Sequence, residues 1–570
     1  MEFKIRGSMG MIAAMPGSLV AAGKAVHKDG IDDLHLINIP LKPENINFRY
    51  IKSVSAIPNE TSGPYTQKRM RGRIGMNTVA GIDMGTQSVK VILYDWENKK
   101  IIARSQVPVD IIARNDGTRE QKTEWYDAAL EACFAAFSAE QKSTIRGIGI
   151  SGHQHGFVPL DADGKALYNV KLWNDTSTAE ECAILTEAAG GNDAVISEVC
   201  NLMLPGFTAP KILWLKRHHP EAFAKLKYIM LPHDYLNFIL TGAYKMECGD
   251  ASGTALFNGI RREWSKKLCG LIDPGLIGLL PDLIESNSAV GTVSRDAERR
   301  FGIPGGIPVS SGGGDNMMGA IGTGTVRDGF LTMSLGTSGT LYGYSDSPVS
   351  DPIRGLSGFN SSTGGYLPLL CTMNCTVATE QTRALFNLGV KEFDECADKA
   401  PIGADGVVFL PFFNGERTPN LPNGRASITG LTAANCSREN IARAAMESAI
   451  FGMRIGLEAF QALGFRAREI RLIGGGAKSA IWRKMAANIM NLPVKRPTSD
   501  EAAAMGGAIQ ALWCLLTAKG EKVAIADLTD AHVTIDEADC ITPDPQAVAA
   551  YDRAYAEYNR YLGALAPLYV

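Results

Sequence analysis

Gly81-Ile82-Asp83-Met84-Gly85-Thr86-Gln87-Ser88 is the stretch whose reading decides the fold. A second stretch in the other half of the chain, Ser334-Leu335-Gly336-Thr337-Ser338-Gly339, shares its composition. Each is followed by a strand-like run, Val89 to Tyr94 and Thr340 to Tyr344. Glycines flanked by alternating apolar residues describe a tight β-hairpin whose turn offers backbone N–H groups and hydroxyls to an anion. One such turn is common. Two, in separate halves of a chain, imply a nucleotide polyphosphate held from both sides, with ATP as the expected nucleotide. Thr86, Gln87 and Ser88 would donate from the first turn, and Gly336, Thr337 and Ser338 from the second.

The chain has 570 residues, too many for one core, so two large lobes are expected. Its 45 % hydrophobic and 21 % charged residues are ordinary for a globular protein. A net charge of −3 without a basic cluster disfavours nucleic acid as a partner. No segment approaches the roughly 20 uninterrupted apolar residues of a membrane span, so no membrane partner is expected. The 11 cysteines form no CxxC, and Cys371 and Cys375 are the closest pair. That usage reads as reduced thiols in a cytoplasmic protein rather than a disulfide framework.

The first 75 residues differ from the rest. They carry 11 Lys and Arg against 6 Asp and Glu, and the remainder of the chain is acidic. Met11 to Gly23 is mildly apolar behind Lys4 and Arg6, but Pro16, Gly17 and Ser18 interrupt it. Met76-Asn77 stands directly before the first good strand. Residues 1–76 are therefore read as an N-terminal extension outside the fold, from a mis-assigned start or an added segment, with a targeting or interaction arm as the alternative.

From Thr78 onward, strands are expected at Val79–Ile82, Val89–Tyr94, Ile101–Val109, Ile145–Ser151 and Ile307–Ser311. Helices are expected at Glu124–Phe137, Ser177–Ala189, Ala209–His218 and Met317–Ile321. The second half repeats this grammar with strands Val407–Leu410 and Ile470–Ile473 and helices Arg438–Ala462 and Lys478–Asn491. The pattern implies a duplicated α/β architecture, with lobes at 77–327 and 328–570 and a cleft between them.

Several residues in this frame could carry chemistry. Asp83 beside a phosphate loop would repel phosphate unless a divalent cation lies between them, so it is a candidate Mg²⁺ ligand. An Asx-turn is the alternative. Asp315 follows three glycines at a strand end, where α/β sheets place ligands. It could accept a hydroxyl proton, or simply cap the helix behind it. His153 and His155, two apart at a strand end, would face one side if the strand continued. They lack a third metal ligand, and Gln154 with His155 suits hydrogen bonding to a polyol. Trp173-Asn174-Asp175 offers an apolar plate beside two polar groups, a combination fit for carbohydrate. Gly474-Gly475-Gly476 between strand and helix matches neither GxGxxG nor GK[ST] but could let an adenosine lie against the backbone. Glu416-Arg417 reads as a structural charge pair in a loop.

Together these motifs resemble the FGGY carbohydrate kinases. The matching segments, in order, are GIDMGTQSVKV (81–91), ISGHQHG (150–156), LWND (172–175), NLMLPGFTAPKILW (201–214), GGGDN (312–316), SLGTSG (334–339), GERTP (415–419) and LIGGGAKS (472–479). The resemblance runs from about Asn77 to the end. It implies an α/β, two-lobed actin/hexokinase-like fold, each lobe with a ribonuclease H-like core, binding ATP with Mg²⁺ and a sugar in the central cleft. By the same resemblance Asp315 would be the general base, and Gln154, His155, Trp173, Asn174, Asp175 and Asn316 would line the sugar site. Asp83 would lie near Mg²⁺, Thr86 in the first phosphate loop and Gly336 with Thr337 in the second. Gly474, Gly475 and Ser479 would border adenosine.

The implied reaction is phosphorylation of a ketopentose, D-xylulose at O5 ahead of ribulose, L-xylulose or another polyol. An actin-like nucleotide switch is the alternative of a different class. Gln154 stands where the family's closest pattern has Met, and Thr176-Ser177 where it often has Gly-Arg. A homodimer is common among similar kinases.

Overall fold

In this computed structural model the chain separates into two compact units, Met1–Gly72 and Arg73–Val570. The described residues are 77–569, together with three strands in the first unit. Those strands, Ile12–Met15, Ser18–Lys24 and Leu34–Pro40, form an antiparallel meander. The rest of the expected extension, 1–76, lies outside the described residues.

The second unit holds two large sheets. The first is built from β1 (Thr78–Met84), β2 (Ser88–Asp95), β3 (Lys100–Pro108), β4 (Ile145–Gly152), β5 (Ala289–Thr292), β6 (Pro308–Ser310) and the short β7 (Gly313–Gly314). Its order is β5-β6-β4-β1-β2-β3, with β7 also pairing β4. β1 and β2 form the expected tight hairpin, closed by a hydrogen bond from the Gly85 N–H to the Ser88 carbonyl. β1, β4 and β7 run parallel, and their register sets Asp83 beside Ser151 and Ser151 beside Gly313. Their carboxyl ends therefore meet at one edge.

The second sheet has the order β10-β11-β9-β8-β12-β13. Its strands are β8 (Phe330–Leu335), β9 (Gly339–Gly343), β10 (Leu356–Asn360), β11 (Tyr366–Thr372), β12 (Glu469–Ile473) and β13 (Val494–Lys495). Again the first two strands are a hairpin, and again the third partner of that hairpin, β12, runs parallel to β8. The repetition read in the sequence is thus a repetition of topology. Strand 408–410 is the exception: it pairs only with 427–429, outside this sheet.

Seven helices frame or support the site: α1 (Thr123–Ala135), α2 (Thr208–His218), α3 (Pro232–Thr241), α4 (Asp315–Thr323), α5 (Arg438–Ala462), α6 (Ala480–Met490) and α7 (Ala502–Ala518). The expected helix at 478–491 is split, because a 3₁₀ turn at Gly475–Lys478 precedes α6 and Ser479 caps it.

α7 lies far into the second half of the sequence, yet it packs against β1, β4 and α4 of the first sheet. The cause is its Ala502-Ala503-Ala504-Met505-Gly506-Gly507-Ala508 face. A Cβ added to Gly506 would lie 1.8 Å from the Met318 carbonyl oxygen, and one added to Gly81 would lie 1.9 Å from that of Ala504. Only backbone-to-backbone packing of small residues fits there. Among the described residues no helix is long and apolar enough to cross a membrane, and all 11 cysteines are free.

Candidate functional site

The converging ends of β1, β4 and β7 gather three carboxylates. Asp83 accepts a hydrogen bond from Ser151 Oγ at 3.1 Å and faces Lys90 across the hairpin. Lys90 in turn pairs with Glu501 at 2.9 Å. Burial pushes the Asp83 carboxyl above its ordinary range, with Lys90 opposing. Asp315 begins α4, and its carboxyl is pushed up to about 7 by burial, then by the negative charges of Asp83 and Asp250. It is not the helix cap: Gly314 holds that position, and Asp315 accepts from the Asn316 N–H at 2.8 Å.

Asn316 joins this carboxylate to the 153–155 loop. Its side-chain amide donates to Asp315 Oδ1 at 3.1 Å and to Gln154 Oε1 at 2.8 Å. β4 stops at Gly152, so the expected same-side placement of His153 and His155 does not occur. His155 adopts a left-handed backbone, φ +63°, and the two rings take different partners. His153 meets the Tyr126 hydroxyl at 3.2 Å, and burial takes its pKa down to about 3. His155 lies against Phe207 and Phe359, ring centroids 4.7 and 5.5 Å away. Burial, then the charges of Lys211 and Arg417, keep its imidazole neutral.

Trp173 and Asn174 border the same space, with the Trp173 indole N–H donating to Thr86 Oγ1 at 3.0 Å. Asp175 does not face it. Its fully buried carboxylate accepts from the Arg119 and Ser177 N–H groups, the Lys171 ammonium and the Ser177 hydroxyl, which leaves it a structural anchor. The buried side chains of Gln154, His155 and Asp250 line this space, Gln154 against Asp250 and His155 against the Gly253 backbone, and Asn174 Oδ1 beside them finds no protein partner. A buried polar atom is normally satisfied, so the free Asn174 oxygen in this polar cluster marks a place for a polar ligand.

Of the two hairpin turns, Gln87 and Thr337 are exposed and Thr86, Gly336 and Ser338 are half-buried. Ser88 instead begins β2 and takes a hydrogen bond from Gln106 at 3.0 Å. The carbonyls of Gly336 and Thr337 are tied to the N–H groups of Thr376 and Cys375. Gly474, φ +89°, lies against the Leu335 backbone, where a Cβ would come within 2.7 Å of the carbonyl oxygen. That brings the 474–476 loop to the end of β8, beside the second turn. Gly474 and Gly475 are exposed, whereas the Ser479 hydroxyl is taken by the Trp482 N–H as the cap of α6.

Some important neighbours carried no sequence signal. Asp250 lies 2.8 Å from His233 Nδ1, and Asp234 lies 2.9 Å from His233 Nε2. Against the cost of burial, these two carboxylates hold the imidazole well above its ordinary pKa. Lys211 is a buried amine, its pKa held well below the ordinary value by burial, that donates to the carbonyls of His155 and Gly206 at 2.7 and 2.6 Å. A lysine inside the apolar run Ala209–Leu215 was its only sign. Glu416 and Arg417 do not pair as expected: the Glu416 carboxylate is taken by the Met373 and Arg417 N–H groups and the Asn374 amide.

Two lobes, each with a glycine-rich hairpin, and a half-buried carboxylate beside a cluster of polar side chains describe a phosphotransferase of the actin/hexokinase-like class. The chain belongs to the FGGY family of carbohydrate kinases: the model of its N-terminal domain matches residues 78–322 and that of its C-terminal domain residues 331–515. It is an ATP-dependent carbohydrate kinase. Among its relatives is the xylulose kinase of Haemophilus influenzae, 44 % identical over 494 residues, which cover 85 % of this chain and 99 % of that protein. The xylulose kinase of Bacillus subtilis is 35 % identical over 77 % of this chain and 88 % of its own length. A crystal structure described as a xyloylose kinase from Brucella ovis superposes with a TM-score of 0.79 at 30 % identity, covering 86 % of this chain and all of that one.

Proposed function

We propose that the protein transfers the terminal phosphoryl group of ATP to O5 of D-xylulose. The observation that carries this reading is the polar cluster beside Asp315, in which Asn316 links the carboxylate to Gln154, next to His155 and the unpartnered Asn174 oxygen, a set of donors and acceptors around one base. The likeness to xylulose kinases over nearly their whole length supports the choice of sugar.

Asp315 accepts the O5 proton as that oxygen attacks phosphorus. A carboxyl with a pKa near 7 is a far better base than an ordinary one and is still ionised in part at neutral pH. Asn316 fixes its orientation and couples it to Gln154. The turns at 85–87 and 336–338 present N–H groups and hydroxyls to the polyphosphate, and Gly474 with Gly475 leaves an open face for adenosine. Asp83 fits a Mg²⁺ role. It is a hard oxygen donor whose pKa is raised by burial despite Lys90 opposite, and it stands two residues before the first turn. When bound, the cation would offset the charge of the polyphosphate.

A coupled ADP-release assay over D-xylulose, L-xylulose, D-ribulose, L-ribulose and glycerol tests the reading. D-xylulose should stimulate ADP release most. Preference for another pentulose would overturn the sugar and point to Gln154, whose amide replaces an apolar contact. No stimulation by any of them would overturn the kinase mechanism as drawn.

A further inference from the structure

Arg417 is the one residue near the sugar pocket that comes from the 415–419 loop of the second half of the chain. Its loop is held rigidly. Glu416 gathers four donors, Asn374 Nδ2 also donates to the Gly415 carbonyl at 2.7 Å, and the Thr418 hydroxyl donates to that of Cys371 at 3.1 Å. This framework consumes the loop's acid and leaves the neighbouring guanidinium without a carboxylate among the described residues. The guanidinium is half-buried and reaches across to the pocket. A Cβ placed on Gly206 would lie 3.6 Å from Arg417 Nη2 and 2.4 Å from the Trp173 carbonyl oxygen. Its charge acts on His155 and Lys211, and its side chain touches the Cys371 thiol.

An arginine has five donors and no acceptor, and a sugar offers acceptor oxygens. With O5 at Asp315 and the sugar lying along Gln154 and His155, its C1–C2 end would fall on the side of Trp173, Gly206 and Arg417. Resting on that assignment, we propose that Arg417 is a substrate-binding residue that donates to the O1 and O2 oxygens of the ketose. The sugar pocket is then complete only when both halves of the chain contribute, and sugar recognition is coupled to the approach of the two lobes. Binding energy drawn from the non-reacting end of the substrate would serve to assemble the reacting end.

The test compares wild type and Arg417→Met with D-xylulose, 1-deoxy-D-xylulose and xylitol, following kcat/KM for each sugar and KM for ATP. The expected result is a loss of about ten- to hundredfold in kcat/KM for D-xylulose, as for a lost charged hydrogen bond, with KM for ATP unchanged. The loss should shrink several-fold for at least one of the two analogues, since each lacks an oxygen or carbonyl that the guanidinium would meet. An equal loss with all three sugars would make Arg417 a structural residue of its loop and overturn the proposal, as would no loss at all. If Arg417→Met does not fold by circular dichroism, Arg417→Lys is read in the same comparison. A wild type that no pentulose stimulates would instead sink the function on which the inference rests.

Discussion

The Trp173 indole N–H donates to the Thr86 hydroxyl at 3.0 Å, which joins the sugar side of the site to the first phosphate turn. Thr86 is held from its backbone as well, because Gln121 Nε2 donates to its carbonyl at 2.8 Å. Gln121 also accepts from Tyr126, whose hydroxyl reaches His153, two residues before His155. One chain of hydrogen bonds therefore runs from phosphate turn to sugar loop.

Trp173→Phe keeps the apolar plate and removes the donor. A neutral hydrogen bond is worth about 1 kcal/mol, so kcat/KM should fall by roughly fivefold. The fall should appear with both ATP and sugar varied. A loss confined to the sugar would show that Thr86 does not need the indole to hold its place.

Asp315→Asn should lower turnover by about 10² or more, the usual contribution of a general base, while the protein stays folded. In wild type, kcat/KM should fall on the acid side with an apparent pKa near 7. Stability moves the other way. The folded-state pKa lies above the ordinary value of 3.8, so the fold favours the protonated acid. That contribution is full below about 3.8 and is lost as pH rises through 7. Thermal melts should therefore show Asp315→Asn gaining on wild type between about pH 4 and pH 8. A constant difference across that range would contradict the raised pKa.

The hairpins, the two α/β halves and the Asp315 helix were legible because glycine spacing and apolar periodicity are local signals. Long helix α5 could be read to the residue for the same reason. What stayed hidden depends on tertiary neighbours. Nothing local distinguishes Asp175, saturated by Lys171, Arg119 and Ser177, from Asn174 beside it with a free oxygen. Asp250 and His233 are 17 positions apart and become a pair only after α3 packs beneath β7. The left-handed turn at His155 has its carbonyl capped by Lys211, 56 positions later. Ser88 and Ser479 carried the right residue type for phosphate or nucleotide contact, but strand pairing and helix capping claim their hydroxyls.

Chelation gives a further check. With divalent cations removed by EDTA, sugar-dependent ADP release should stop, and added Mg²⁺ should restore it. Asp83→Asn should raise the Mg²⁺ concentration needed for half-maximal rate by about tenfold or more, because a neutral amide is a poorer ligand for a hard cation. An unchanged Mg²⁺ requirement would relocate the cation to another carboxylate. Asp83→Asn also removes a buried, unfavourably placed charge, so its thermal stability without nucleotide should equal or exceed that of wild type.

The packing of α7 makes the last prediction. Gly506 sits where any side chain would meet the Met318 carbonyl at 1.8 Å, inside the α4 that carries Asp315. Neither partner is a flexible side chain, so α7 must move away from α4 or tilt. Overpacking of this kind costs about 1–3 kcal/mol, and two rigid backbones in contact place it at the upper end. Gly506→Val should lower the melting temperature, and because α4 shifts with α7, it should also lower kcat without a matching change in KM for ATP. Lys519→Ala, just beyond α7, is the control and should change neither. If Gly506→Val melts early but the folded fraction turns over at the wild-type rate, α7 supports the sheet alone and Asp315 is positioned by its own strand end.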